Sequence, residues 1–235
     1  GSDVDVSNLL TFAITSTPVN GSVTNNNNGS FTFVPGTSFQ DLADGETRDV
    51  TFTYSAADNS GADNATSVNG TVTVTVTGTN AQPLVAAVAV SAQEDSGRVV
   101  GNFVGADIDT TDELIFAIIG SPAEGTVINN GNGTFSYDPG SSFQDLAQGA
   151  TRDVTFNYTA TDNIDTGNAT SLTGTVKVTV TGTNDQPIVG NIIATAVEDG
   201  GAITARFSGT DFDTADILSF SIGSQPAEGS VTNND

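Results

Sequence analysis

Landmarks along this 235-residue chain recur at a fixed offset of 104. The string TGTNAQP at 77–83 returns as TGTNDQP at 181–187, FQDL at 39–42 returns at 143–146, and TRDVTF at 47–52 returns at 151–156. Pro18, Pro122 and Pro226 keep the same spacing, as do Phe12, Phe116 and Phe220. Self-similarity at a domain-sized period means one folding unit used in tandem, so the sequence predicts an array of repeats. The period places a complete unit at 81–184. It is flanked by a partial unit at 1–80 without its first strands and a partial unit at 185–235 without its last ones. A unit of this length can bury a core of its own.

Within the complete unit, hydrophobicity alternates with period two, and Gly, Pro, Asn and Asp punctuate the runs. Seven strands are read from LVAAVAVSA (84–92), RVVGNF (98–103), LIFAI (114–118), GTV (125–127), GTFSYDP (133–139), DVTFNYTA (153–160) and GTVKVTVT (174–181). In the last, Val176, Val178 and Val180 face one way while Thr175, Lys177, Thr179 and Thr181 face the other. Strands with one apolar face must bury it against a second sheet. The expected fold class is therefore all-β, a tandem series of Ig-like Greek-key β-sandwiches with about seven strands each. Gly131 and Gly133 supply positive-φ positions for the hairpin before GTFSY. FQDLAQG (143–149) is the one stretch read as a short helical turn, with Phe143 and Leu146 plugging the sandwich edge.

The chain carries 28 acidic against 5 basic residues, a formal charge of −23. Nucleic acid and anionic membrane surfaces share that sign and are not expected partners, whereas a cation is. Disorder is disfavoured, because 36% of residues are hydrophobic and they alternate strictly. Cys, His, Met and Trp are all absent, which removes disulfides, thiol and imidazole catalysis, and the usual zinc and copper ligands. With a single Lys as well, no nucleophile–base pair is suggested, so the chain is not read as an enzyme. No apolar run approaches the length of a membrane span, so no membrane insertion is expected.

The acids recur with the period. Asp3 and Asp5 align with Asp107 and Asp109 and with Asp211 and Asp213, a D-x-D ahead of the third strand region. Asp58 aligns with Asp162 in an A-x-D after a long strand, and Glu94-Asp95 aligns with Glu198-Asp199. A lone Asp most often fills a turn or cap. Carboxylates collected from several loops at one end of a sandwich repel one another unless a cation neutralises them, and hard divalent ions take six to eight such oxygens. Retention of both pairs at one spacing points to calcium, with Asp3, Asp5, Asp58, Glu94, Asp107, Asp109, Asp162, Glu198, Asp211 and Asp213 as candidate ligands.

Together these features carry a resemblance. Glu near the first strand, N-D-x-P at the junction, D-x-D about 27 residues later and A-x-D after the sixth strand resemble the calcium layout of cadherins. TGTNDQP, followed by VEDG at 197–200, DFD at 211–213 and ILSF at 217–220, resembles the VCBS and cadherin-like repeats of large RTX-type bacterial adhesins exported by type I secretion. The resemblance covers the chain as repeats. It implies extracellular, cell-surface spacer domains stiffened by calcium at their linkers and supporting adhesion or biofilm formation. The implied partners are calcium ions and neighbouring repeats of the same chain, and a glycan or other cell-surface ligand would be met through other domains of the parent protein.

Carried onto this sequence, the resemblance implies that Asn184 and Asp185 meet Glu94, Asp211 and Asp213 at the second junction. At the first, Asn80 would meet Asp107, Asp109 and Asp162, with Ala81 standing where Asp185 offers a carboxylate. The cadherin L-D-R-E acid has no match, and Asp145 and Asp153 are candidate substitutes. A carbohydrate-binding sandwich is the alternative within the fold class. Such modules usually present exposed Trp or Tyr, whereas Tyr54, Tyr137 and Tyr158 are expected to face inward. The Thr/Val alternation of 71–79 is read as strand propensity rather than as an ice-binding row.

Overall fold

The computed structural model describes residues 9–163 and 167–234. Those up to residue 85, with 105–115 and 159–172, form one compact unit; 86–104, 116–158 and those from 173 onward form another.

In the first unit, the partial repeat contributes β1 (Thr11–Ile14), β2 (Ser22–Asn25), β3 (Phe31–Val34), β4 (Thr47–Ala57) and β5 (Gly70–Thr77). The long β4 is central, antiparallel to β1 from Thr11↔Ala57 to Ile14↔Tyr54 and to β5 from Thr47↔Thr77 to Tyr54↔Gly70. Strands β2 and β3 pair as a separate hairpin. Alternation in TRDVTF sends Val50 and Phe52 inward, and Val50 packs with Phe39, Leu42, Phe33 and Val76.

The intact repeat continues as β6 (Leu84–Val85), β7 (Val88–Gln93), a 3₁₀ turn at Glu94–Ser96, β8 (Val99–Asn102), β9 (Gly105–Ala106) and β10 (Ile115–Ile119). It closes with β11 (Thr126–Asn129), β12 (Thr134–Asp138), β13 (Thr151–Thr161) and β14 (Gly174–Thr181). One sheet has the order β10-β13-β14-β7 and the other β11-β12-β8. The rings of Phe103, Phe116, Phe135, Phe156 and Tyr158 stack between them at centroid distances of 4.9 to 6.2 Å. These side chains form the expected β-sandwich core, with Val176, Val178 and Val180 fully buried. In the first unit the matching Val72, Val74 and Val76 are only half-buried, and among the described residues β5 pairs with β4 alone.

One local expectation changes and another is narrowed. The run 84–92 is not one strand: β6 pairs with β9, and from Val88 the chain runs as β7 along β14. The short helical turn expected in FQDLAQG is a single i→i+3 turn that does not extend into a helix, with Leu146 N donating to Phe143 O at 2.8 Å. Pro139 and Gly140, at φ 58°, lead into it and Gly149, at φ 80°, leads out, leaving too few residues to propagate a helix. Phe143 and Leu146 are buried as expected. The 3₁₀ helix among the described residues is instead Glu94–Ser96. In the last partial repeat, β15 (Ile188–Val189) pairs with β16 (Gly209–Thr210), and no strand is formed between them.

Pairing of β7 with β14 is parallel, in register from Val176↔Val88 to Thr181↔Gln93. Both strands therefore finish at the same end of the sandwich. The residues that follow, Glu94-Asp95 on one and Thr183-Asn184-Asp185 on the other, are delivered side by side.

Candidate metal centres

Glu94 opens the 3₁₀ turn and is only 2% exposed, yet neither carboxylate oxygen has a hydrogen-bond partner in the protein. Asp213 is 1% exposed; its Oδ2 accepts from Asp185 N at 2.9 Å, its own N–H donates to Asp211 Oδ1 at 3.0 Å, and its Oδ1 is unpartnered. Asp185 Oδ2 is also buried without a partner. One oxygen each from Glu94, Asp185 and Asp213 lies within 4.8 Å of the other two. Burial, then the charges of Asp95, Asp185 and Asp213, push the Glu94 carboxyl above its ordinary pKa. The Thr183 amide opposes this without reaching hydrogen-bond geometry. Asp185 is raised by burial and then by Asp95, Asp213 and Asp211. Asp95 sits at the rim, accepting from Gln144 Nε2 and Thr183 Oγ1, both at 3.0 Å.

The first junction repeats the same backbone arrangement. Ala81 N donates to Asp109 Oδ2 at 2.8 Å, and Asp109 N to Asp107 Oδ1 at 3.0 Å. Asn80 Nδ2 donates to Asp162 Oδ2 at 3.1 Å, tying the A-x-D loop to the junction. Asn80 Oδ1, Asp107 Oδ2, Asp109 Oδ1 and Asp112 Oδ2 are buried without partners, and Asp109 itself is 1% exposed. Burial raises the Asp112 pKa, followed by the charges of Asp109, Asp162, Asp107 and Glu46.

All eight buried side-chain oxygens without a partner among the described residues belong to these two clusters. A buried polar atom left unpaired costs about 1–3 kcal/mol, and more for a charged group, so such a concentration calls for a compensating positive charge. Only carboxylate, amide and hydroxyl oxygens are presented, with no sulfur or imidazole, which fits a hard cation. The residues present therefore fit calcium.

Other expected ligands fall elsewhere. Asn184 is exposed, and its Nδ2 turns back to the Asp185 carbonyl at 2.5 Å. Asp58 accepts from Ser60 N at 2.7 Å, and hydrogen bonds from Ser60 lower its pKa. Glu198 is exposed and joins neither cluster. Asp3 and Asp5 lie outside the described residues. The two candidate substitutes are already engaged: Asp145 pairs with Arg152 at 2.6 Å, and Asp153 accepts from Thr179 Oγ1 at 2.6 Å and pairs with Lys177 at 3.2 Å. Their pKa values are lowered accordingly, by the Arg152 hydrogen bond for Asp145 and by Thr179 ahead of Lys177 for Asp153. Sequence reasoning missed Asp112 in the first cluster and Asp95 at the rim of the second. Both recur at the 104 offset, as Asp216 and Asp199, and that recurrence was the available signal.

Fold and site together define an all-β protein of the Ig-like/cadherin-like sandwich class that carries two buried acidic clusters. Residues 80–181 match the model of the family described as Bacterial Ig domain, which supports reading the intact repeat as a bacterial Ig-like repeat. No curated protein matches the chain. Solved structures with similarity include Drosophila N-cadherin EC1-4, at 13% identity and TM-score 0.48, covering 80% of this chain and 45% of that one. Human mucin-like protocadherin EC1-2 has 13% identity and TM-score 0.44, covering 77% of this chain and 87% of that one. An endo-fucoidan hydrolase of glycoside hydrolase family 107 has 13% identity and TM-score 0.32, covering 76% of this chain and 24% of that one. The architecture rests on the strand pairing above rather than on these likenesses. Among the described residues, no helix is long and apolar enough to cross a membrane.

Proposed function

We propose that this chain is a run of calcium-stabilised spacer repeats of a bacterial surface adhesin, with boundaries at 1–80, 81–184 and 185–235. The observation that carries this reading is the set of eight buried, unpartnered oxygens confined to the two junction clusters. Calcium would supply the missing positive charge and accept six to eight oxygens. Glu94, Asp185, Asp211 and Asp213 would hold it at the second junction, and Asn80, Asp107, Asp109, Asp112 and Asp162 at the first. Asp109 and Asp213 have divided roles: one oxygen grips the junction backbone at Ala81 N or Asp185 N, and the other stays free for the ion. A junction held in this way resists swivelling, which suits an extracellular spacer. The strings TGTNDQP, VEDG and DFD motivate the finer assignment to the VCBS type of RTX adhesin, exported by type I secretion and serving adhesion or biofilm formation.

Calorimetric titration of the chelator-stripped chain tests the reading. Calcium should bind at both junctions, and changing Asp107 and Asp109 to Ala should remove the first-junction share of the stoichiometry. Unchanged stoichiometry in that variant would remove these residues from the site. An absence of calcium binding by the unaltered chain would end the proposal. At a hundred times the dissociation constant, binding adds about 2.7 kcal/mol to stability.

A further inference from the structure

The FQDL turns at 39–42 and 143–146 each touch both of the segments that carry a cluster's buried carboxylates. The end of each turn lies against a glycine just ahead of Ala81 or Asp185. A Cβ on Gly78 would meet Ala43 O at 2.3 Å and Leu42 O at 2.4 Å, and one on Gly182 would meet Leu146 O at 2.2 Å. The middle of each turn accepts from the residue that follows the buried aspartate. Asp41 O accepts from Thr110 N and Thr110 Oγ1, both at 3.4 Å, and Asp145 O accepts from Thr214 Oγ1 at 3.2 Å. Each of these contacts lies within one compact unit. The segments gripped are the same ones that Ala81 N and Asp109 Oδ2, or Asp185 N and Asp213 Oδ2, tie together.

An arginine holds each turn in place. Arg48 donates to both oxygens of Asp41, at 3.2 and 2.7 Å, and its guanidinium lies 5.9 Å over the Phe39 ring. Arg152 donates to Asp145 at 2.6 Å and to Glu124 at 3.0 Å, and lies 5.7 Å over the Phe143 ring. A guanidinium fixed by a carboxylate and an aromatic face leaves the turn little freedom to swing. The pairing also balances the charge of Asp41 and Asp145, so the turn approaches an acidic cluster without adding a further unanswered carboxylate. The side chain of each aspartate is thus engaged by arginine while its carbonyl is presented to threonine.

We propose that the FQDL turns are seats for the ion sites, in which Arg48 with Thr110, and Arg152 with Thr214, act as positioning residues that hold Asp109 and Asp213 in place before an ion arrives. The proposal rests on the calcium reading and adds to it residues that are not themselves ligands. Carboxylates crowded together in the metal-free protein repel one another and tend to swing apart. Fixing the backbone beside Asp109 and Asp213 removes that freedom in advance, and ordering that is already complete does not have to be supplied on binding, so it appears as affinity. Asp145 thereby serves the second cluster through its carbonyl and its ion pair rather than as a ligand.

Calcium calorimetry on the full chain, paired with amide hydrogen exchange in chelator, tests it. Thr110→Val together with Thr214→Val removes the hydroxyls and keeps the side-chain shape. Calcium affinity should fall by about fivefold, as loss of one hydrogen bond per site does, while Thr110→Ser with Thr214→Ser should keep the affinity of the unaltered chain. Arg48→Gln with Arg152→Gln is a test of sign. Removing cations beside acidic clusters tightens calcium on charge alone, whereas loss of the seats weakens it, and weakening is expected. In chelator, the Asp109 and Asp213 amides should exchange faster in the Val variant than in the unaltered chain. An unchanged affinity in the Val variant, or a tighter one in the Gln variant, would overturn the proposal. If the unaltered chain binds no calcium, the calcium reading itself fails, and exchange in chelator decides the seats separately: equal rates overturn them, and faster rates in the Val variant uphold the grip on Asp109 and Asp213.

Discussion

Replacing Glu94 with Gln should make the metal-free protein more stable and the calcium-loaded protein less stable. Glu94, Asp185 and Asp213 each place an oxygen within 4.8 Å of the other two. At that separation, a pair of charges costs about 3.5 kcal/mol at an effective dielectric of about 20, and about 0.9 kcal/mol at that of bulk water. Glutamine keeps the shape of the side chain and removes two of the three pairs, bounding the gain between about 2 and about 7 kcal/mol. Burial and the neighbouring acids already favour proton uptake by Glu94, which trims the repulsion in the unaltered chain. The expected gain in chelator is therefore about 2 kcal/mol, or about 8–16 °C in melting temperature for a repeat of this size. In calcium the lost ligand dominates, because each tenfold fall in affinity removes about 1.4 kcal/mol of linked stabilisation. A hundredfold fall outweighs the gain and inverts the ranking. Thermal melts of both proteins in chelator and in millimolar calcium provide the readout. A shift of the same sign and size in both buffers would refute the reasoning, since it would mean that Glu94 is an ordinary packing residue.

The raised carboxyls of Glu94, Asp185 and Asp112 bind protons in the folded state at pH values where the unfolded chain does not. In chelator, stability should therefore rise as pH falls from neutral through their folded pKa values toward about 4, while in calcium it should fall over the same range as protons displace the ion; urea melts across pH check both signs. Below about 4 the metal-free trend should turn over, because the carboxyls that Arg48 and Arg152 hold low, Asp41 and Asp145, begin to lose their ion pairs. Ala81→Asp should tighten calcium at the first junction on the order of tenfold, because the backbone there already matches that of Asp185. An unchanged affinity by calorimetry would mean that the side chain at this position does not reach the ion. Gly182→Ala would set a Cβ 2.2 Å from Leu146 O and 2.5 Å from Ala147 O, so a loss of about 2 kcal/mol or more in urea unfolding is expected, against little change for Gly190→Ala, which has open space.

Most of the fold was legible because alternation is a local property. The pattern V-x-V-x-V in GTVKVTVT says which side chains turn inward, and Val176, Val178 and Val180 do. The same pattern is silent on direction, so the parallel pairing of β7 with β14 could not be read from it. Strands far apart in sequence choose partners through the whole topology. The split at Ala86-Ala87 was hidden for the same reason, since a run of apolar residues does not reveal where its partner changes.

The candidate site was legible in part. The recurrence of D-x-D and A-x-D marked Asp107, Asp109, Asp162, Asp211 and Asp213, all of which lie at the junctions. It could not separate Asp112, which joins the first cluster, from Asp58, Asn184 and Glu198, which join neither among the described residues.

By itself, then, the sequence determined the repeat, the alternating strands, the Gly and Asn turns between them, and the oxygen-only chemistry of an acidic chain without Cys or His. Those follow from residue type and spacing along the backbone. Only the tertiary structure decided which carboxylates are desolvated together and which are answered by Arg48, Arg152 or Lys177. The energy of a charge depends on what packs over it and on what lies within a few ångströms in space, and neither is a property of its place in the chain.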